Sequence, residues 1–219
     1  MGLHLNFELR LPASTLAEAA TSLLNQLRDF ALTQPFEHVS ALLSPEFDVS
    51  DDTGQERSLL QRWARVISRP HDEAECQLVG EPNSARGFVV WPGERCEPAV
   101  FAFLLRADST GVPIEWFWHC CCKTQYASLI SDAHLLTCHL SLVRVLEHAI
   151  GLGLDVVVRD ETHYWETRDE ARLLSEVHSM NQIVARFAGL FSDKVGSEHQ
   201  VNAPIFEHPR FERLEMGGE

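Results

Sequence analysis

The sequence predicts an α+β fold: one domain over residues 1–219, with a mixed, mainly antiparallel sheet and about four helices packed on it. Three observations predict it. Runs of strand-like alternation recur along the chain, and segments with helical spacing are interleaved with them. Short turn-forming sequences join the two kinds, with no internal repeat and no linker long enough to force a second domain.

The elements follow in order. Leu3, Leu5, Phe7, Leu9 and Leu11 alternate with His4, Asn6, Glu8 and Arg10, which is the pattern of a half-buried strand, and Pro12 ends it. Thr15 and Glu18 stand in capping-box register ahead of Leu16, Ala20, Leu23, Leu27 and Phe30, so residues 15–33 read as an amphipathic helix. A strand over His38–Leu43 completes an N-terminal β-α-β unit. After the acidic loop Ser44–Gly54, a second capping box at Thr53 and Glu56 opens a helix that carries Leu59, Leu60, Trp63, Val66 and Ile67 on one face. Arg69-Pro70 breaks that helix, and residues 71–85 hold at most a short strand at Cys76–Val79.

Gly87–Trp91, Ala99–Leu105 and Pro113–Cys122 are strand-like and are joined by hairpin-grade turns, giving a central three-strand meander. Ser131 or Asp132 caps a third helix carrying Leu135, His139, Leu142, Leu146 and Ile150, which Gly151 and Gly153 close. Leu154–Val158 then reads as a short buried strand. A third capping box, Thr167 to Glu170, precedes a fourth helix with Leu173, Leu174, Val177, Met180, Val184, Phe187 and Phe191 on its core face. The C-terminal part is therefore β-α-β-α. Residues 197–219 read as an extended tail that packs on the domain through Ile205, Phe206 and Phe211.

Composition narrows the function classes. The chain is 45% hydrophobic with a formal charge of −14, and its pI is near 5.2. Nucleic acids and anionic membranes select clustered Lys and Arg, so neither is an expected partner. No apolar run approaches the roughly 18 residues of a membrane span, and the first residues lack the form of a secretion signal. Three of the six cysteines are adjacent, Cys120 to Cys122, inside an expected strand, so neighbours point to opposite faces. Buried free thiols in a reducing cytoplasm account for them without a disulfide framework.

The candidate site follows from the β-α-β reading of Pro113–Val158. Parallel strands joined by a crossover end on one edge of a sheet, where α/β proteins place ligands. Lys123 and Tyr126 leave the first strand; Arg159, Asp160 and Glu161 leave the second, with His163 and Tyr164 following. His119 shares a strand face with Cys121 and Lys123. Lys123, Tyr126, Asp160, Glu161, Tyr164 and His119 are thus the expected ligand-binding residues.

Two chemical alternatives carry less. His134 and Cys138 have the i, i+4 spacing that can grip a metal, and Cys120 or Cys122 is a conceivable further ligand. No Cys-x-x-Cys or His-Glu-x-x-His accompanies them, and His139 on the apolar stripe reads as a hydrogen-bonded core histidine, so no metal or other cofactor is assigned. Cys121 lies between two cation-forming side chains that would lower a thiol pKa, but residues two apart on a strand stand roughly 6–7 Å from each other. Nucleophile-elbow, dinucleotide and P-loop motifs are absent. The expectation is a cytoplasmic binding module for a basic protein partner or a small ligand, its oligomeric state open. The alternative is a hydrolase or transferase using His119, Lys123, Asp160 and Glu161, with or without a metal.

Overall fold

Eleven strands and α-helices order the described chain: β1 (Leu5–Pro12), α1 (Ala17–Ala31), β2 (His38–Val39), α2 (Gly54–Ile67), β3 (Arg86–Trp91), β4 (Ala99–Ala107), β5 (Pro113–Cys122), α3 (Asp132–Gly151), β6 (Asp155–Asp160), α4 (Tyr164–Thr167) and α5 (Glu170–Val195), with short 3-10 helices at Gln125–Leu129 and Pro204–Glu207. The structure is a computed structural model that describes residues 2–43, 54–67, 84–108, 110–195, 204–208, 211 and 216, with residues 66, 67 and 191–195 described by backbone alone. The six strands form one sheet in the order β2-β3-β4-β5-β1-β6, and each neighbouring pair is antiparallel. The fold is a single-domain α+β architecture. β5 and β6 run in the same direction, as a β-α-β unit requires, but β1 lies between them.

Period-two alternation explains the layers. Leu5, Phe7, Leu9 and Leu11 of β1 are buried, and their register partners Cys122, Cys120, Trp118 and Trp116 on β5 are buried on the same face. Helices α1 and α3 cover that face: Trp116 Nε1 donates to Thr15 O at 2.9 Å, and Arg86 donates to the Thr21 hydroxyl of α1 at 3.0 Å. Phe7 stacks on Phe101 at 4.9 Å and Phe101 on Phe88 at 5.4 Å. The small Cys120 between β1 and β4 lets the first two rings meet. Trp118 is fully buried, and its indole donates to Val100 O at 2.8 Å. Left unmet, that donor would cost about 1–3 kcal/mol. Helix α2 lies on the other face, against β3, β4 and β5, and brings Leu60 and Ala64 into the core.

Several boundaries differ from the sequence expectation, each for a local reason. Thr15 does not cap α1, because the helix starts at Ala17 with Leu16 at the cap position, without a side-chain bond; Thr15 lies in the preceding turn, its N–H bonded to Pro12 O at 2.9 Å and its carbonyl accepting from Trp116. Thr167 belongs to α4, where its hydroxyl bonds to His163 O, and the cap of α5 is Asp169, whose carboxylate accepts from Arg172 N at 3.1 Å. Ser131 caps α3 as expected, accepting from His134 N at 3.0 Å. Gly153, at φ 88°, takes the left-handed turn that leads α3 into β6. The second strand shrinks to His38–Val39 plus an isolated bridge from Leu43 to Gly87.

Leu154–Val158 was expected to be buried, whereas β6 is the outer strand with alternating exposure. On α5, Leu173, Val177 and Val184 are buried, while Phe187 is 50% exposed and Asn181, Ala185 and Ala188 face inward. The capping residue Thr53, the loop 44–53, the strand at 76–79 and most of the 197–219 tail lie outside the described residues. Within that tail Ile205 is buried against Val184, Ala185 and Ala188. Among the described residues no helix is long and apolar enough to cross a membrane.

Candidate functional site

The second face of the sheet carries the other half of each alternation: Asn6, Glu8 and Arg10 on β1 with His4 just before it, His119 and Cys121 on β5, and Val157 and Arg159 on β6. Helix α2 covers this face only as far as β5, where the Trp63 ring meets the His119 ring edge-on at 6.3 Å. Beyond His119 the face is open, and a cavity of about 370 Å³ lies there, lined by Asn6, Glu8, His119, Val157, Arg159 and Glu161. Its walls mix signs. Glu8 is held by Arg10 at 2.6 Å, and Glu161 accepts from His4 N at 2.7 Å and lies 3.2 Å from the His4 ring. Arg159 supplies a cationic head. Burial lowers the His119 pKa, with the Arg159 charge adding to it and Glu8 opposing, so the ring is neutral near pH 7.

The six expected site residues divide between the two faces. His119 and Glu161 line the cavity. Lys123 has the same strand parity and is only 13% exposed; its ammonium reaches Glu97 at 3.6 Å and lies 5.8 Å from the centre of the Tyr126 ring. Extending the register by one residue puts Lys123 and Glu161 on either side of His4, roughly 10 Å apart across two strand spacings. The carboxylate that holds Lys123 is thus Glu97, not Asp160 or Glu161. Asp160 has the opposite parity and turns toward the helices, as does Tyr164, whose ring meets His139 edge-on at 6.0 Å.

Around Asp160 the structure builds a buried polar chain that the sequence reading did not connect. Thr124 Oγ1 lies 3.0 Å from His139 Nδ1, and His139 Nε2 lies 3.2 Å from Asp160 Oδ2. An ionised carboxylate only accepts, so Nε2 carries the proton and donates. Asp160 also accepts from Thr162 N, the Thr162 hydroxyl and Trp165 N, at 2.9, 2.7 and 3.0 Å. Burial alone would raise the Asp160 pKa, but the hydrogen bond and charge of His139 together with the Thr162 bonds bring it down to about 2. The order hydroxyl–imidazole–carboxylate has the form of a nucleophilic triad. Thr124 is only 4% exposed and His139 1%, so the chain serves to fix the ends of β5 and β6 to α3. His139 is the hydrogen-bonded core histidine that its position on the apolar stripe implied.

The described cysteines are free thiols, buried at Cys120, Cys122 and Cys138 and half-buried at Cys96 and Cys121. Burial pushes the Cys120 thiol up to about 12 and Cys121 up to about 11; at Cys121 Glu97 and Glu161 add to the rise and Lys123 opposes it. The flanking cations therefore do not activate Cys121. Cys122 donates to Glu97 O at 3.0 Å. His134 lies 3.0 Å from Glu94 O and 3.7 Å from Cys138 Sγ, and Cys96 packs against Cys138. Among the described residues no three His, Cys, Asp or Glu side chains converge as a metal site.

Asn6, Glu8, Val157 and Arg159 are cavity residues that sequence reasoning did not assign to the site. The signal for Asn6 and Glu8 was the polar face of β1, which gains meaning only once β1 lies between β5 and β6 and brings Val157 and Arg159 beside it. These features define a single-domain α+β protein with a mixed-charge cavity on the open part of its sheet. No protein-family model matches the chain, and no curated protein or solved structure matches it either.

Proposed function

We propose that the chain is a cytoplasmic binding module whose open-face cavity takes a small ligand bearing both an anionic and a cationic group. The observation that carries this reading is the cavity itself. A volume of about 370 Å³ falls in the range of small-molecule sites, and its polar groups converge with opposite signs. Arg159 offers a planar fork to a carboxylate or phosphate. Glu161 and Glu8 offer acceptors to an ammonium, and the neutral His119 and Asn6 offer hydrogen bonds of either sense. A basic protein partner finds less support here, because acids and bases nearly balance on this face, with Glu8 beside Arg10 and Glu115 beside Arg106. A hydrolase or transferase built on His119, Lys123, Asp160 and Glu161 would need side chains from both faces of the sheet in one place.

Thermal-shift and calorimetric titrations with free amino acids and ω-amino acids, against butyrate and butylamine as single-charge controls, test the proposal. A zwitterion should raise the melting temperature where both controls fail, and Arg159→Glu and Glu161→Gln should each abolish the effect. No response across the panel, or a response that both variants retain, would overturn it.

A further inference from the structure

We propose that β6 is a self-complementary edge, and that two copies of the chain pair antiparallel through it about a two-fold axis at Val157. The inference stands on strand geometry and does not rest on the cavity's ligand, although the two readings share Arg159.

Among the described residues β6 is the terminal strand of the sheet, bonded to β1 on one side only. The phase of that bonding is fixed. Glu161 N donates to His4 O at 3.1 Å, so in the unbroken register Arg159, Val157 and Asp155 also turn their backbone groups toward β1. Val156 and Val158 therefore direct their N–H and C=O groups outward. Unpaired strand edges of this kind template further strands, and folded proteins usually blunt them with charge, proline or a bulge. The sequence of β6, Asp155-Val156-Val157-Val158-Arg159-Asp160, places Asp155 and Arg159 symmetrically about Val157 on one face, with Asp160 on the other.

Antiparallel pairing of two such strands centred on Val157 satisfies each level at once. Val156 and Val158 of one copy meet Val158 and Val156 of the other as hydrogen-bonded pairs, which use the outward backbone groups. Val157, 38% exposed, meets its own counterpart in a close non-hydrogen-bonded pair. Asp155 of each copy lies directly opposite Arg159 of the other, also in a close pair and on the same face as Val157. Within one chain neither Asp155 nor Arg159 forms a salt bridge among the described residues; the Asp155 charge acts on its register partner Arg10 without an ion pair. A shift that keeps the hydrogen-bond phase loses this match. One direction sets Asp155 against Val157; the other sets Asp155 against Glu161, two acids face to face. The interface is isologous, as a two-fold pair requires. It also completes the cavity wall, because Arg159 lines the cavity and the second copy's Asp155 would stand beside it.

Sedimentation velocity and native mass spectrometry of the full chain over about 1–200 µM test the pairing. The wild type should show a concentration-dependent dimer. Asp155→Arg and Arg159→Asp should each raise the dissociation constant by about tenfold or more, since like charges then oppose at both ends. The double exchange should recover the dimer while each single variant keeps a wild-type circular dichroism spectrum. Because Asp155→Arg also faces Arg10 within its own chain, amide exchange supplies an arm without substitution: Val156 and Val158 should lose protection on dilution, while Phe7 and Leu9 keep theirs. A wild-type monomer at 200 µM would overturn the proposal. So would a dimer that both single variants leave intact and whose Val156 and Val158 amides exchange alike at all concentrations.

Discussion

At Asp160 four donors meet two carboxylate oxygens: Thr162 N and its hydroxyl on one, His139 and Trp165 N on the other. A carboxylate so held is stabilised in its charged form, and its pKa of about 2 lies below the ordinary 3.8. The contribution to folding is present above the unfolded value and disappears as pH falls toward the folded one. It is worth about 2 kcal/mol. Asp160→Asn should therefore lower the urea midpoint at pH 7, and its midpoint should fall less than the wild type's between about pH 5 and pH 2. A variant that lost as much stability on acidification as the wild type would remove Asp160 from the acid response. The sequence reading stopped this strand at Val158 and grouped Asp160 with Glu161; because β6 runs on to Asp160, period-two parity sends the two to opposite faces. The partner His139 was legible only as a polar group on an apolar stripe, because nothing local says which strand end it faces.

Among the elements, β3 shows how closely the backbone can dictate a residue. Gly87 is paired with Ala102 across β4, and a Cβ at that position would lie 2.3 Å from both the Ala102 Cβ and the Phe101 carbonyl oxygen. Gly87→Ala should destabilise the chain by about 1–3 kcal/mol through overpacking against rigid backbone. Gly151→Ala, with nothing within 4 Å of the added carbon, should be neutral or slightly stabilising. Equal melting temperatures for the two variants would contradict this. Elements with strong periodicity were read closely: β1, β5 and α3 lie where alternation and capping put them. The expected cap at Thr15 failed because the helix starts one residue later, with Leu16 at the cap position and Thr15 in the turn that its N–H closes on Pro12 O. On α5 the stripe rotates because small residues, Ala185 and Ala188, admit Ile205, a contact that spacing along the helix cannot announce.

For the whole molecule, the described apolar residues divide into a main core and two satellites. The main core lies in and around the sheet; one satellite joins α3 to the first turns of α5, and the other joins the later turns of α5 to Ile205. Stability should divide along the same lines, since local opening follows contiguous packing units. Ile205→Ala should accelerate amide exchange over Val184–Ala188 and leave β1 and β5 at wild-type rates. Uniform acceleration over the whole chain would show that the satellites open only with the core. The open cavity belongs to this scale too. It exists because α2 ends its coverage at His119, and no single stretch of sequence records that limit.

The insertion of β1 between β5 and β6 also bears on how the chain is made. Leu5 finds its neighbours Cys122 and Asp160 only after well over a hundred further residues have been added. At about 5–20 residues per second, β1 waits several seconds or longer for the strands that bury Leu5, Phe7 and Leu9. Of the six described strands β1 is made before the others yet is among the last to be enclosed, and the nascent chain carries an exposed apolar ribbon until β6 has left the ribosome.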